Sequence, residues 1–197
     1  MASMIMPAGL TDPAIESQGI FRAVLNAFSH PGTVRTVHLK EHPPAPLMVG
    51  TAAFGLMLLD MSTPLWVDPT LESAGARDYL GFHTGCAWAK DAGSAAFVIL
   101  DATAGVSDFS GFSQGTLEYP DRSATLICQV DGLSGGEGTR LTGPGIEVEN
   151  RLAVHGVASS FWDALERNRR AFPLGVDVVL IAKNRIACLP RTTKAEV

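Results

Sequence analysis

The sequence predicts a three-layer α/β/α domain built on a mixed sheet. Two observations carry that prediction. The apolar runs at 96–101 (AFVILD) and 123–130 (SATLICQV), bounded by turn residues, have the length and composition of central strands. Such runs alternate with helical patterns in the first half of the chain and close as a hairpin near its end. Alternation calls for parallel neighbours and hairpins for antiparallel ones, so one sheet must hold both. With 197 residues, 46% of them hydrophobic and 18% charged, the chain has the composition of a single packed domain. Residues 1–13 read as an N-terminal arm and 14–197 as that domain.

The elements follow in order. Thr11-Asp12-Pro13 places a capping side chain ahead of a first-turn proline, and Ile20, Phe21, Val24, Leu25 and Phe28 recur at helical spacing. Ser29-His30-Pro31-Gly32 ends that helix. A strand is expected over 33–39, and the prolines at 43–46 break the chain again. Residues 48–59 are apolar almost all round, which predicts a helix buried on most sides. A short strand at 64–67 and a helix over 71–80 lead into Gly81-Phe82-His83-Thr84-Gly85. A loop rich in Gly, Ser and Asp spans 102–115, with a short strand near Leu117. Gly135 to Gly138 reads as a turn, with strands at 139–142 and 146–148 on either side of Gly143-Pro144-Gly145. A helix over 157–172 sets Phe161, Trp162 and Leu165 on one side and basic residues near its end, where they complement the helix dipole. Residues 176–182 and 185–189 form the closing hairpin about Lys183-Asn184.

Charge and cysteine usage exclude several classes. The net charge of −5 argues against a nucleic-acid partner. It is unevenly spread: residues 1–149 carry 7 basic and 16 acidic side chains, residues 150–197 carry 8 and 4. The cationic last quarter is therefore either a solvated mixed surface or a face turned toward an anion or a partner. Cys86, Cys128 and Cys188 lack CxxC spacing and read as buried small hydrophobes. The start lacks the basic segment of a secretory signal, and no run reaches the roughly 18 apolar residues that span a bilayer. A cytoplasmic protein without membrane contact is expected.

Searching for chemistry removes more than it finds. Neither GxxxxGK[ST] nor GxGxxG occurs. The histidines never pair four apart on a convincing helix, so no metal is expected. Gly111-Phe112-Ser113-Gln114-Gly115 matches the nucleophile-elbow pattern in letters only, because no strand enters it and no helix leaves it. Cys86 beside His83 carries no sign of an activated thiol. Lys40, Lys90, Lys183 and Lys194 are poor Schiff-base candidates, so no pyridoxal cofactor is expected, nor any other. Arg22, His83, Arg191 and Thr192 remain as candidate ligand-binding residues, since a guanidinium fork and threonine hydroxyls suit an anion. Each can equally brace the fold.

Taken in order, several segments resemble one family: the PhnH subunits of the bacterial carbon–phosphorus lyase system. They are Phe21-Arg22 through Ser29-His30-Pro31-Gly32, Thr63-Pro64-Leu65-Trp66, Phe82-His83-Thr84 and the strand from Ser123 to Ile127. Leu141 to Ile146, Phe172 to Asp177 and Leu189-Pro190-Arg191-Thr192-Thr193 complete the series, and the run from Gly143 to Thr193 carries much of its specificity. The resemblance covers residues 14–197. It departs from the family pattern at Gly81, where a basic residue precedes Phe-His-Thr, and at Tyr119-Pro120-Asp121-Arg122. It implies an α/β/α fold related to the pyridoxal-phosphate transferases but lacking the cofactor site. It further implies a homodimer joined to PhnG, PhnI and PhnJ subunits in a core complex for phosphonate use. In that system the G, H, I and L proteins together make ribose 1-phosphonate 5-triphosphate from ATP and a phosphonate, and the J subunit later breaks the carbon–phosphorus bond. That synthase is a transferase, and the subunit is not expected to catalyse alone. The alternative is a stand-alone enzyme or binding module for a phosphorylated ligand such as a nucleotide or phosphonate, with a pocket near His83 and Arg191. No catalytic residue is carried over.

Overall fold

The computed structural model describes residues 6–196; residues 1–5 of the expected arm lie outside the described residues. Helix α1 runs Pro13–Ser29, its first turn capped by the Asp12 carboxylate, which accepts from the Ile15 N–H at 3.2 Å. It buries Ile20, Val24 and Ala27. Strand β1 (Arg35–Thr36) is only two residues long, so the strand expected over 33–39 is mostly irregular. Helix α2 (Val49–Leu58) buries every residue from Gly50 to Gly55, as its all-round apolar character predicts. A Cβ at Gly50 would come within 2.8 Å of Ile181 Cγ2, so glycine is what lets this helix lie so close to the sheet.

Strand β2 (Leu65–Val67) precedes α3 (Ala74–Thr84). The third helix lies later than the expected 71–80, because Ser73 caps it by accepting from the Ala76 N–H at 3.1 Å. The chain before that cap turns on Asp68, whose carboxylate takes the Thr70 N–H and hydroxyl. Strands β3 (Phe97–Asp101) and β4 (Thr125–Gln129) follow where they were expected. Near Leu117 there is a tight turn instead of a strand, closed by Thr116 N–H to Tyr119 O.

Two further differences come from glycines that were read as turns. Strand β5 spans Gly132–Thr142 without a break and absorbs Gly135 to Gly138 as an irregularity in its pairing with β6 (Asn150–His155). Residues 146–148 are bent rather than extended, because the Gly143 carbonyl takes the Ile146 N–H and closes a turn. After α4 (Ser159–Arg170) come β7 (Asp177–Ala182) and β8 (Arg185–Leu189), joined through Lys183 and Asn184. A last strand, β9 (Lys194–Glu196), was not anticipated; it is three residues long and exists by pairing with β5.

The main sheet is mixed, in the order β1-β8-β7-β4-β3-β2. Strands β2, β3, β4 and β7 are parallel, and β8 and β1 join antiparallel. Strand alternation sends Ile99, Ile127, Val179 and Ile181 into the core shared with α1, α2 and α3. Val98, Leu100, Leu126, Cys128, Val178 and Leu180 enter the opposite core, under Phe161, Trp162 and Leu165 of α4 and under Leu133, Leu141 and Leu152 of the second sheet. That second sheet, β6-β5-β9, is antiparallel. The expected outer layer of helices on this face is thus one helix beside a small sheet. Among the described residues, no helix is long and apolar enough to cross a membrane.

All three cysteines are free and buried. Burial pushes the Cys128 thiol up to about 12 and Cys188 higher still, so neither forms the reactive thiolate near neutral pH. Alkylation of the native protein at pH 7.5 should therefore leave Cys128 and Cys188 unmodified, while unfolding in denaturant exposes all three thiols. Peptide mass mapping checks both.

Candidate functional site

Arg191 is the most heavily engaged polar side chain among the sequence-predicted residues. It follows β8 by two positions, and its side chain is 13% exposed. The Asp177 carboxylate, at the first position of β7, grips it: Oδ2 accepts from Nη2 at 2.7 Å, and Oδ1 accepts from Nε at 3.3 Å and from the Arg191 backbone N–H at 2.8 Å. Nη1 donates to the carbonyls of Pro120 and Pro173, at 2.8 and 3.3 Å. Nη2 also donates to the Ser123 hydroxyl at 2.5 Å. Every nitrogen of the guanidinium thus has an internal partner, and an anion could reach it only by displacing one.

This junction ties together the segment before β4, the turn after α4, the start of β7 and the chain leaving β8. Nearby bonds reinforce it. Asn168 on α4 closes a reciprocal pair with Val176, donating to its carbonyl at 2.9 Å and accepting its N–H at 2.8 Å. The Gly175 N–H donates to Gln114 O at 3.1 Å. Gly175 has a φ of +120°, and a Cβ there would stand 2.7 Å from Asn168 Oδ1, so only glycine fits this turn.

The other three candidates lie apart. His83, near the end of α3, places its Nε2 2.9 Å from Pro7 O, and its ring meets those of Tyr79 and Phe82 edge-on. The Tyr79 hydroxyl donates to Ala8 O at 3.4 Å. His83 and Tyr79 therefore hold the described part of the arm against α3. Arg22 lies on the exposed side of α1, and Thr192 beside the Gly143 turn. Among the described residues no hydrogen bond joins any two of the four. Ser113 of the elbow-like motif donates to Arg122 O at 3.3 Å and stays in a loop. A cleft of about 320 Å³ lies between this loop and α4, lined by Asp108, Phe109, Gln114, Arg167 and Asn168 among others. Its amides serve backbone: the Gln114 side-chain N–H groups donate to Phe109 O and Phe112 O. Among the described residues, no group of three or more His, Cys, Asp or Glu side chains could hold a metal ion.

Several cations of the last quarter are paired, and its cationic excess remains because Arg169 and Arg170 share one carboxylate and Arg140 adds a further charge. Arg151 meets Glu149, Lys194 meets Glu196, and Arg169 and Arg170 both meet Glu166. Glu149 and Glu196 also flank Arg140, giving a ladder of alternating charge along the small sheet. Arg167 donates to Ser107 O. Two of these partners, Glu149 and Arg140, precede residue 150, and a count along the chain could not assign them to this surface.

Hydrogen bonds from Arg169 and Arg170 hold the Glu166 carboxyl down to about 2, against opposing desolvation. A depressed carboxylate contributes stability that is present above its unfolded value, near 4.3, and lost as pH falls through the folded value. Glu166→Gln should cost about 1 kcal/mol at pH 7, after allowance for solvent screening, and should flatten the stability profile between pH 5 and pH 2. Urea titrations across that window check it.

Comparison with known proteins places the chain. The family model described as bacterial phosphonate metabolism protein (PhnH) matches residues 8–196. A curated relative from Rhizobium meliloti (strain 1021) is 38% identical over 194 residues, covering 98% of this chain and 97% of the relative. It is named alpha-D-ribose 1-methylphosphonate 5-triphosphate synthase subunit PhnH. HtxG of Stutzerimonas stutzeri, described as a C-P lyase subunit protein, is 33% identical over 182 residues, covering 91% of this chain and 86% of the relative. The match spans α1 through β9 and takes in the whole Arg191 junction; this chain belongs to the PhnH family of bacterial phosphonate metabolism proteins.

Proposed function

We propose that this chain is a subunit of a carbon–phosphorus lyase complex in phosphonate catabolism. In that role it supports formation of ribose 1-phosphonate 5-triphosphate from ATP and a phosphonate. The observation that carries this reading is the 38% identity, along nearly the full length of both chains, to a named synthase subunit. Within the reading, the chain works in the cytoplasm as a homodimer bound to PhnG, PhnI and PhnJ, and its contribution is assembly rather than a self-sufficient active site. The internal commitments of Arg191 and His83 support that emphasis, because both side chains hold protein groups. The mixed sheet agrees with a relation to the pyridoxal-phosphate transferase fold. All four lysines are exposed, whereas a Schiff-base lysine needs a desolvated pocket. We therefore place no pyridoxal cofactor in this chain.

The test is co-expression with PhnG, PhnI and PhnJ followed by native mass measurement. The expected result is an assembly that contains this chain, while the chain alone runs as a dimer and converts neither ATP nor methylphosphonate. Turnover by the isolated chain, lost in His83→Ala or Arg22→Ala, would support the binding-module alternative and overturn this reading.

A further inference from the structure

Among the described residues, no backbone–backbone hydrogen bond involves the arm at residues 6–10; the first such bond beyond it is Glu16 N–H to Asp12 O, at the start of α1. What holds the arm comes from one face of α3, where Tyr79 and His83 stand four residues apart. They grip successive carbonyls: His83 Nε2 lies 2.9 Å from Pro7 O, and the Tyr79 hydroxyl donates to Ala8 O at 3.4 Å. The next residue, Gly9, is buried, and a Cβ there would meet His83 Nδ1 at 2.9 Å and Cε1 at 3.2 Å. The arm backbone therefore lies directly on the imidazole. Met6 and Leu10, at its two ends, are half-buried against the core shared with α1, α2 and α3. Tyr79 beneath it is fully buried, and an open cleft of about 520 Å³ beside it is lined by Met6, Gly81, Phe82 and Trp88 among others.

We propose that residues 6–10 form a strap closed over this face of α3, with the His83 imidazole as its catch, and that the strap opens as one unit while the domain stays folded. Its hydrogen bonds run to two side chains and to no strand or helix backbone, so it can leave without breaking either kind of ladder. A segment with few buried contacts and no backbone ladder sits at the low end of local stability and opens apart from the core. The backbone entropy lost in ordering the arm opposes those few contacts and favours opening further. The occupant of this face is thus the arm itself. Its release brings Tyr79 to the surface and extends the cleft at Phe82 and Trp88 along α3. Among the uses open to His83, this one needs no anion: its ring is shaped against Gly9 and its nitrogen against Pro7 O. The inference rests on the contacts of the arm alone and is independent of the assembly reading.

The experiment is limited proteolysis of the full chain with thermolysin, which cuts ahead of large apolar residues, so the Gly9–Leu10 bond reports the strap. Cleavage is followed by mass under conditions where its rate tracks the open population. Wild type should be cut at this bond well before any site inside the domain, yet more slowly than a free peptide of residues 1–14. His83→Ala and Gly9→Ala should each speed that cut roughly tenfold, with the thermal melt and cleavage inside the domain unchanged. His83→Gln keeps an N–H donor within reach of Pro7 O and should stay within about threefold of wild type. Gly9→Ala alters the arm and not the helix, so the test still reads out if His83→Ala disturbs α3. Both alanine variants within about twofold of wild type would overturn the catch. A wild-type arm cut only as fast as the domain unfolds would overturn its separate opening. One cut as fast as the free peptide would overturn the closed strap.

Discussion

Arg191→Ala is expected to lower the unfolding free energy by about 3 to 5 kcal/mol, the combined cost of leaving a partly buried carboxylate, two carbonyls and a hydroxyl without their donor. The loss is more than one salt bridge. Asp177 would keep a charge only 26% exposed, and the Pro120 and Pro173 carbonyls and the Ser123 hydroxyl would lose their shared donor. For a domain of this size the change corresponds to a fall of roughly 10 °C in Tm. Arg191→Lys should recover only part of the loss, because an ammonium cannot serve a bidentate carboxylate and two carbonyls in one plane. Urea denaturation measures both. If Arg191→Ala changes stability by less than about 1 kcal/mol, the junction does not brace the fold and the anion-binding alternative regains weight.

Gln129→Leu should have the second largest effect, about 2 to 4 kcal/mol. Gln129 ends β4 at the centre of the main sheet, buried to 3% exposure. Its Oε1 accepts from the Met48 N–H at 2.8 Å and from the Thr51 hydroxyl at 2.7 Å, and its Nε2 donates to Pro46 O at 3.1 Å. Met48 is the residue that starts α2 and has no cap of its own, so a side chain from a strand does the capping. Leucine preserves the volume and takes their partner from the buried Thr51 hydroxyl, the part-buried Met48 N–H and the Pro46 carbonyl. Hydrogen exchange should show amides 48–52 opening well before those of α1. Uniform exchange across both helices would contradict the capping role.

Neither network was legible in the sequence, and the reason is the same for both. Gln129 and Thr51 stand 78 positions apart and Arg191 and Ser123 stand 68 apart, and no local rule pairs residues at such separations. What the sequence did convey was local. Capping by Asp12, the all-apolar run of α2, the continuous hydrophobicity of β3 and β4 and the closing hairpin all express one segment's own chemistry. The misreadings arose where partners overrode that chemistry. Glycine is a turn former in isolation, yet Gly135 and Gly138 continue a strand because β6 lies alongside. Lys194 to Glu196 has no strand character and becomes one because β5 offers an edge. The candidate residues show the same limit. Arginine, histidine and threonine bind anions and brace loops with the same groups, and which use applies depends on neighbours that only the fold supplies. The composition of LPRTT and FPLGVD marked the right region; the Asp177–Arg191 contact explains why those segments belong together.

The central claim is that this chain acts through its surface in an assembly and not through a pocket of its own. Its most direct test is the conversion of ATP and methylphosphonate by the complete complex together with PhnL, reconstituted with wild type, His83→Ala or Arg22→Ala, or prepared without this chain. The account predicts near wild-type turnover for His83→Ala and Arg22→Ala, and loss of turnover when this chain is left out. Abolished turnover in His83→Ala or Arg22→Ala with the assembly intact, or normal turnover without this chain, would contradict it.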